Sequence, residues 1–190
     1  MRLKDEKKKY SIFNAAMELI TTNGFAETSM AQIAERAQVS AATIYIYFQN
    51  KEDLLNKLFL YIKEESAETI LNGVSDVTSV KMGLQLFWSN TYQYSIANPI
   101  KFAFGEQFSN SPLINRLSKD EGRYSYQPLF ELLNKGIVEG ILKDVPLYLL
   151  ATYVLAPLTQ LIKAELNREI KISEQLLTEA FSMAWDAIKI

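Results

Sequence analysis

The sequence contains no cysteine and no histidine. Without cysteine there can be no disulfide, thiolate nucleophile or zinc–thiolate site, and without histidine no imidazole base or imidazole metal ligand. Whole classes of enzyme are thereby excluded, and no cofactor or metal is expected. A surplus of one charge sign is also missing: 20 Lys and Arg stand against 22 Asp and Glu, giving a net charge of −2 and a pI near 5.4. That balance argues on its face against a polyanionic partner such as DNA. Glycine (7) and proline (5) are scarce, which excludes collagen, and a hydrophobic content of 48% excludes disorder. No apolar run of signal-peptide type follows the basic amino terminus of Arg2, Lys4, Lys7, Lys8 and Lys9. The most apolar segment, 145–162, holds Pro146 and Pro157 and falls short of the roughly 20 apolar residues of a membrane span. A soluble cytoplasmic protein without a membrane partner is the expectation, and 190 residues suffice for one sizeable core or two small ones.

What is present is helical periodicity almost throughout. Ile12, Ala15, Ala16, Leu19 and Ile20 recur at helical spacing, and Asn23-Gly24 supplies a stop. Ser29 followed three residues later by Gln32 is a capping box opening a second helix over about 30–37, with Met30, Ile33, Ala34 and Ala37 inward. Gln38-Val39 makes a turn, and Ser40 caps a short third helix over about 41–48 whose inward residues are Ile44 and Phe48. Asn50 caps a long fourth helix carrying Leu54, Leu55, Leu58, Phe59 and Ile62, which can continue to Leu71 before Asn72-Gly73. Val77, Val80, Leu84, Phe87, Trp88 and Ile96 predict a further helix ending before Asn98-Pro99, and another follows over about 99–108. A helical region then extends to Gly140, interrupted or kinked at Pro128. Two long apolar stripes end the chain, one over 147–162 and one over 176–188.

Helices two and three, joined by a tight turn, have the spacing of a helix-turn-helix, the element that lays a recognition helix in the major groove. Spacing alone leaves an ordinary helical corner equally open. The outer face of helix three adds to the case: Ala41, Ala42, Thr43, Tyr45 and Tyr47 are small or hydroxyl-bearing, suited to thymine methyls, base edges and phosphates. Lys51, at the first turn of helix four, can share a phosphate with that helix's amides.

Residues 12–58, reading IFNAAMELITTNGFAETSMAQIAERAQVSAATIYIYFQNKEDLLNKL, resemble the amino-terminal DNA-binding domain of TetR-type transcriptional regulators. The most specific portions are NGFAETSMAQIAERAQVS and ATIYIYFQNKEDLL. The resemblance implies an all-α homodimer with two domains. A three-helix helix-turn-helix domain over 1–50 binds a palindromic double-stranded DNA operator, and helix four, from 51, links it to a helical ligand-binding and dimerisation domain over 51–190. A small-molecule effector releases the DNA, so the implied activity is that of a repressor and not an enzyme. Matched position by position, Ser29 implies a phosphate contact, and Ser40, Ala41, Ala42 and Thr43 imply the groove-entering start of the recognition helix. Tyr45 matches its recurrent tyrosine, Tyr47 its phosphate donor and Lys51 the lysine beginning helix four. Two positions depart from the pattern: Tyr47 stands where His is commonest, and Gln38 where Gly usually makes the turn, at a cost of about 1 kcal/mol if its φ is positive.

Beyond the resemblance, Trp88, Tyr92, Phe104, Phe108, Tyr124, Phe130 and Tyr153 are candidates to line a pocket for an apolar or aromatic effector, with plain core packing as the alternative. Leu155, Leu158 and Ile162, with Leu177, Phe181 and Trp185, are candidates for a dimer interface, because the last two apolar faces look too broad to cover each other. An intramolecular core is the alternative there. A protein-binding helical adaptor, or an enzyme working without His or Cys, remains the competing function. The charge total conceals a split: residues 1–51 hold seven Lys and Arg against five Asp and Glu, and 52–190 hold 13 against 17. The basic first nine positions are expected to precede helix one as an arm that follows phosphates.

Overall fold

The computed structural model describes the backbone from Arg2 to Ile190 and the side chains from Glu6 onward. Within those residues the chain forms ten α-helices. They are α1 (Arg2–Asn23), α2 (Met30–Arg36), α3 (Ala41–Tyr47), α4 (Lys51–Ile70), α5 (Val80–Ala97), α6 (Pro99–Phe108), α7 (Arg116–Tyr124), α8 (Gln127–Val138), α9 (Leu147–Leu166) and α10 (Glu174–Ile188). The all-α expectation holds, and the caps explain most boundaries. Asn23 is followed by Gly24 at φ 89°, which ends α1. Ser29, Ser40, Ser79 and Ser173 each accept from an amide in the first turn of α2, α3, α5 and α10. Asn50 Oδ1 accepts from the Asp53 amide at 2.8 Å at the start of α4.

Three local expectations change. Val77 lies in the turn before Ser79, so α5 starts three residues later than its apolar pattern suggests. Of the two readings at Pro128 the interruption holds and the kink does not: α7 ends at Tyr124, and Pro128 sits in the first turn of α8, where its missing N–H costs nothing. The basic arm is helical: α1 begins at Arg2, so Lys7, Lys8 and Lys9 are exposed residues of its first turns. The side chains of Arg2 and Lys4 lie outside the described residues.

The chain divides into two compact units, and the division departs from a boundary at residue 50. Unit 1 comprises the residues up to Glu64 together with Ile100–Gly122, and unit 2 comprises Glu65–Pro99 with Arg123–Ile190. In unit 1, Ile12, Phe13, Ala16 and Ile20 of α1 meet Ile33 and Ala34 of α2, Ile44 of α3, Phe48, and Leu54, Leu55, Leu58, Phe59 and Ile62 of α4. Phe104, Phe108 and Ile114, distant in sequence, belong to the same cluster. Asn56, buried on α4, fixes that return segment: its Nδ2 donates to Leu113 O at 3.2 Å and its Oδ1 accepts from the Asn115 amide at 2.9 Å. Unit 2 packs α5 against α8, α9 and α10 around Leu84, Phe87, Trp88, Leu129, Leu133, Val154, Leu158 and Phe181. By length and hydropathy α9 could cross a membrane, but its stripe Leu150, Ala151, Val154, Leu158 and Ile162 is buried among these partners, as in a core helix.

Candidate nucleic-acid interface

The α2–turn–α3 element is held by its own caps. Ser29 Oγ accepts from the Gln32 amide at 3.2 Å and donates to Gln32 Oε1 at 2.9 Å, while the Ser29 amide donates to that same Oε1 at 2.7 Å. A phosphate taking the Ser29 hydroxyl proton therefore replaces a bond to Gln32. The turn passes through Gln38 at φ 56°, the left-handed region where glycine is favoured. The Gln38 amide bonds to Glu35 O and that of Val39 to Ala34 O, so the strain is repaid by two closing hydrogen bonds of 3.0 and 2.9 Å.

Helix α3 then begins at Ser40, whose Oγ accepts from the Thr43 amide at 3.1 Å and lies 2.8 Å from Thr43 Oγ1. Ala41, Ala42 and Tyr45 are exposed and Thr43 is half-buried. Ile44 and Phe48 face the core. Tyr47 is half-buried, with its ring 6.2 Å from that of Phe48. Lys57 Nζ donates to Tyr47 O at 3.2 Å and to Asp53 Oδ2 at 2.9 Å, placing a cation at the carboxyl end of α3, where the helix dipole favours one. Ile46, absent from the candidate residues above, is the most exposed large hydrophobic side chain of the helix, at 78%. The signal was in the sequence: two residues beyond inward Ile44 is about 200° around the helix. Selecting for small or hydroxylated types passed over it.

Lys51 is turned away from the role expected of it. Its Nζ donates to Phe25 O at 2.7 Å, Thr28 O at 2.8 Å and Ala26 O at 3.4 Å, and sits 4.3 Å from the centre of the Phe25 ring. Its three protons are thus directed at the α1–α2 loop that precedes Ser29.

The seven candidate effector residues are not brought together. Phe104 and Phe108 pack on each other at 4.7 Å within the unit 1 core. Tyr124 is 76% exposed and Tyr153 52% exposed, while Phe130 is half-buried on α8. Trp88 and Tyr92 belong to α5 in unit 2. Tyr92 Oη donates to Glu165 Oε2 at 2.7 Å, and burial together with that carboxylate pushes the phenol up to about 12. Trp88 is buried edge-on to Phe181, ring centres 5.6 Å apart, and its Nε1–H has no hydrogen-bond partner among the described residues. Elsewhere in unit 2 the polar interior is satisfied: Tyr94 Oη donates to Glu65 Oε2 at 2.5 Å, and Tyr126 Oη lies 2.8 Å from Ser66 Oγ.

The expected dimer residues are also displaced. Leu158, Ile162, Leu177, Phe181 and Trp185 are buried inside unit 2 and Leu155 is half-buried, so the chain's own core takes this stripe. The two stripes do cover each other, with α5 and α8 completing the cover. The outward apolar surface lies on the opposite faces, at Tyr148, Leu149 and Tyr153 of α9 and Met183 of α10.

Comparison with known proteins extends the geometry. Residues 12–58 match the family described as bacterial regulatory proteins, tetR family, and residues 81–189 match the tetracyclin repressor-like C-terminal domain. The chain is 30% identical over 146 residues to the fatty acid metabolism regulator protein of Bacillus subtilis (strain 168), covering 75% of each chain. It is 41% identical over 149 residues to an uncharacterised HTH-type transcriptional regulator of the same organism, covering 75% of this chain and 71% of the relative. A TetR family transcription regulator from Marinobacter aquaeolei VT8 superposes with a TM-score of 0.94 at 28% identity, over 100% of this chain and 99% of that one. The fold is shared, at 22% identity and a TM-score of 0.77, with the Bacillus subtilis FadR regulator solved in complex with stearoyl-CoA, over 92% of this chain and 96% of that one. With its capped helix-turn-helix, its exposed α3 face and both halves of the chain matched, this protein belongs to the TetR family of DNA-binding transcriptional regulators.

Proposed function

We propose that the protein is a cytoplasmic repressor that binds a palindromic operator as a homodimer and leaves it when a long-chain acyl thioester occupies unit 2. DNA recognition runs through the outer face of α3, with Ser29, Ser40, Ala41, Ala42, Thr43, Tyr45 and Tyr47 at or beside the duplex. Lys51 supports it from behind by holding the α1–α2 loop. The outward faces of α9 and α10 supply the dimer contact, because Tyr148, Leu149, Tyr153 and Met183 present apolar surface that a second copy would bury.

The effector class rests on one structural observation beside the relatives' names. Trp88 Nε1–H is a buried donor without an acceptor among the described residues, set edge-on to Phe181, and such a group costs about 1–3 kcal/mol until it is paired. A ligand that is mostly hydrocarbon and carries one carbonyl fits both properties. The relatives described above as a fatty acid metabolism regulator and as a stearoyl-CoA complex point to the same class.

The test is a gel-shift titration on a selected operator with stearoyl-CoA, with free coenzyme A as the control. Stearoyl-CoA is expected to dissociate the complex and coenzyme A to leave it intact. Trp88→Phe should bind DNA as the parent does and require more acyl-CoA for release. A complex indifferent to acyl-CoA of every chain length refutes the effector, and a Met183→Glu/Tyr153→Glu double variant that stays dimeric in sedimentation refutes the interface.

A further inference from the structure

We propose that Ile46 is a specificity-determining residue that reads the 5-methyl group of a thymine in the major groove. Among the large hydrophobic side chains exposed in unit 1, Ile46 is the most exposed, at 78%. It lies diametrically away from the Ile44/Phe48 core stripe and shares a surface strip with Ala42, four residues back, and Thr43, three back. Folding gives no reason for it. A β-branched residue is a weaker helix former than Ala, Lys or Glu, and its hydrocarbon is left in water.

The occupant follows from what a duplex presents. In the major groove the thymine methyl is the one apolar feature; every other edge offers donors and acceptors that an isoleucine would desolvate without replacing. Ala42, one turn earlier on the same strip, is too small to hold the helix away from the groove floor. A branched hydrocarbon at the centre of the outward face thus matches a methyl group and penalises a C or G at the same place.

This inference rests on the reading of α3 as the groove helix, and the experiment separates the two. An operator is first selected from random duplexes, and each of its thymines is then replaced singly by deoxyuridine, which removes the methyl and keeps the hydrogen-bonding edge. At one thymine of each half-site the parent protein should bind about fourfold more weakly after replacement, the factor that the roughly 0.8 kcal/mol of one buried methyl-sized group converts to. Ile46→Ala should bind the thymine and deoxyuridine duplexes equally at that position, and Ile46→Val should fall between. Thermal unfolding of both variants is expected to match the parent, since the side chain is exposed. If the parent and Ile46→Ala lose the same factor at every thymine, or if the operator has no thymine whose methyl matters, the assignment to Ile46 is wrong while the groove helix stands. If no duplex is enriched at all, the groove reading falls and the inference with it.

Discussion

The clearest quantitative prediction concerns Lys51, because the position expected of a phosphate ligand and the geometry found there imply opposite outcomes. Lys51→Met keeps the aliphatic stem and removes the ammonium, leaving the carbonyls of Phe25, Ala26 and Thr28 without their shared donor. Hydrogen bonds to a charged group contribute about 1.5–3 kcal/mol each, and a cation over an aromatic face about 0.5–1 kcal/mol. The bonds at 2.7 and 2.8 Å dominate, and water reaches part of the loop once the ammonium is gone. The loss should therefore be about 2–4 kcal/mol in total, less than the plain sum. For a chain of this size that lowers Tm by about 5–15 °C in a circular-dichroism melt. DNA affinity should drop with the ordering of the α1–α2 loop, while the salt dependence of the remaining binding keeps its slope. An unchanged Tm accompanied by a slope reduced by about one counterion would show that Lys51 is a phosphate ligand after all and refute the clamp.

Three other perturbations follow from particular contacts. Asn56→Leu leaves the partly buried Leu113 carbonyl and Asn115 amide without their side-chain partner, and should cost about 1–2 kcal/mol in urea denaturation with an unchanged m-value. Gln38→Gly relieves a left-handed residue and should stabilise by about 0.5–1 kcal/mol in the same assay, after allowance for the greater freedom of glycine in the unfolded chain. Lys63 is held below the ordinary lysine pKa of 10.5 by burial, with Glu106 opposing the shift. Between the lowered folded value and 10.5 the unfolded chain binds more protons, so this group makes stability rise with pH through that window. Lys63→Met should flatten the slope there, and equal slopes for the two proteins would contradict the lowered pKa of this half-buried lysine.

The parts of the structure that were legible from sequence are those decided by neighbours along the chain. Ser29, Ser40 and Asn50 could be read as caps because a cap needs only its own residue and an amide two or three positions on. The left-handed Gln38 was legible only through the resemblance, because it stands where the family usually has Gly. Phe104 and Phe108 could be read as buried, since aromatic side chains at helical spacing generally are, but not which core they enter. That depends on the return of α6 to α4, settled by contacts such as Asn56 with Leu113. The candidate dimer residues lie in the core of unit 2 for a related reason. An apolar stripe identifies a helix's buried face without saying what buries it, and in α9 and α10 the chain's own helices do so. Lys51 shows the remaining limit: its position at the start of α4 was plain, but a four-carbon stem reaches a loop or a phosphate equally well.

The central claim is that α3, displayed twice by a symmetric dimer, reads DNA with its outward face. Selection of bound sequences from a random duplex pool tests it most directly. The account predicts enrichment of a two-fold symmetric motif whose half-sites contain a thymine and whose centres are about 34–36 Å apart, or a multiple of that spacing. An enriched sequence without two-fold symmetry, or no enrichment over the starting pool at low salt, would contradict it.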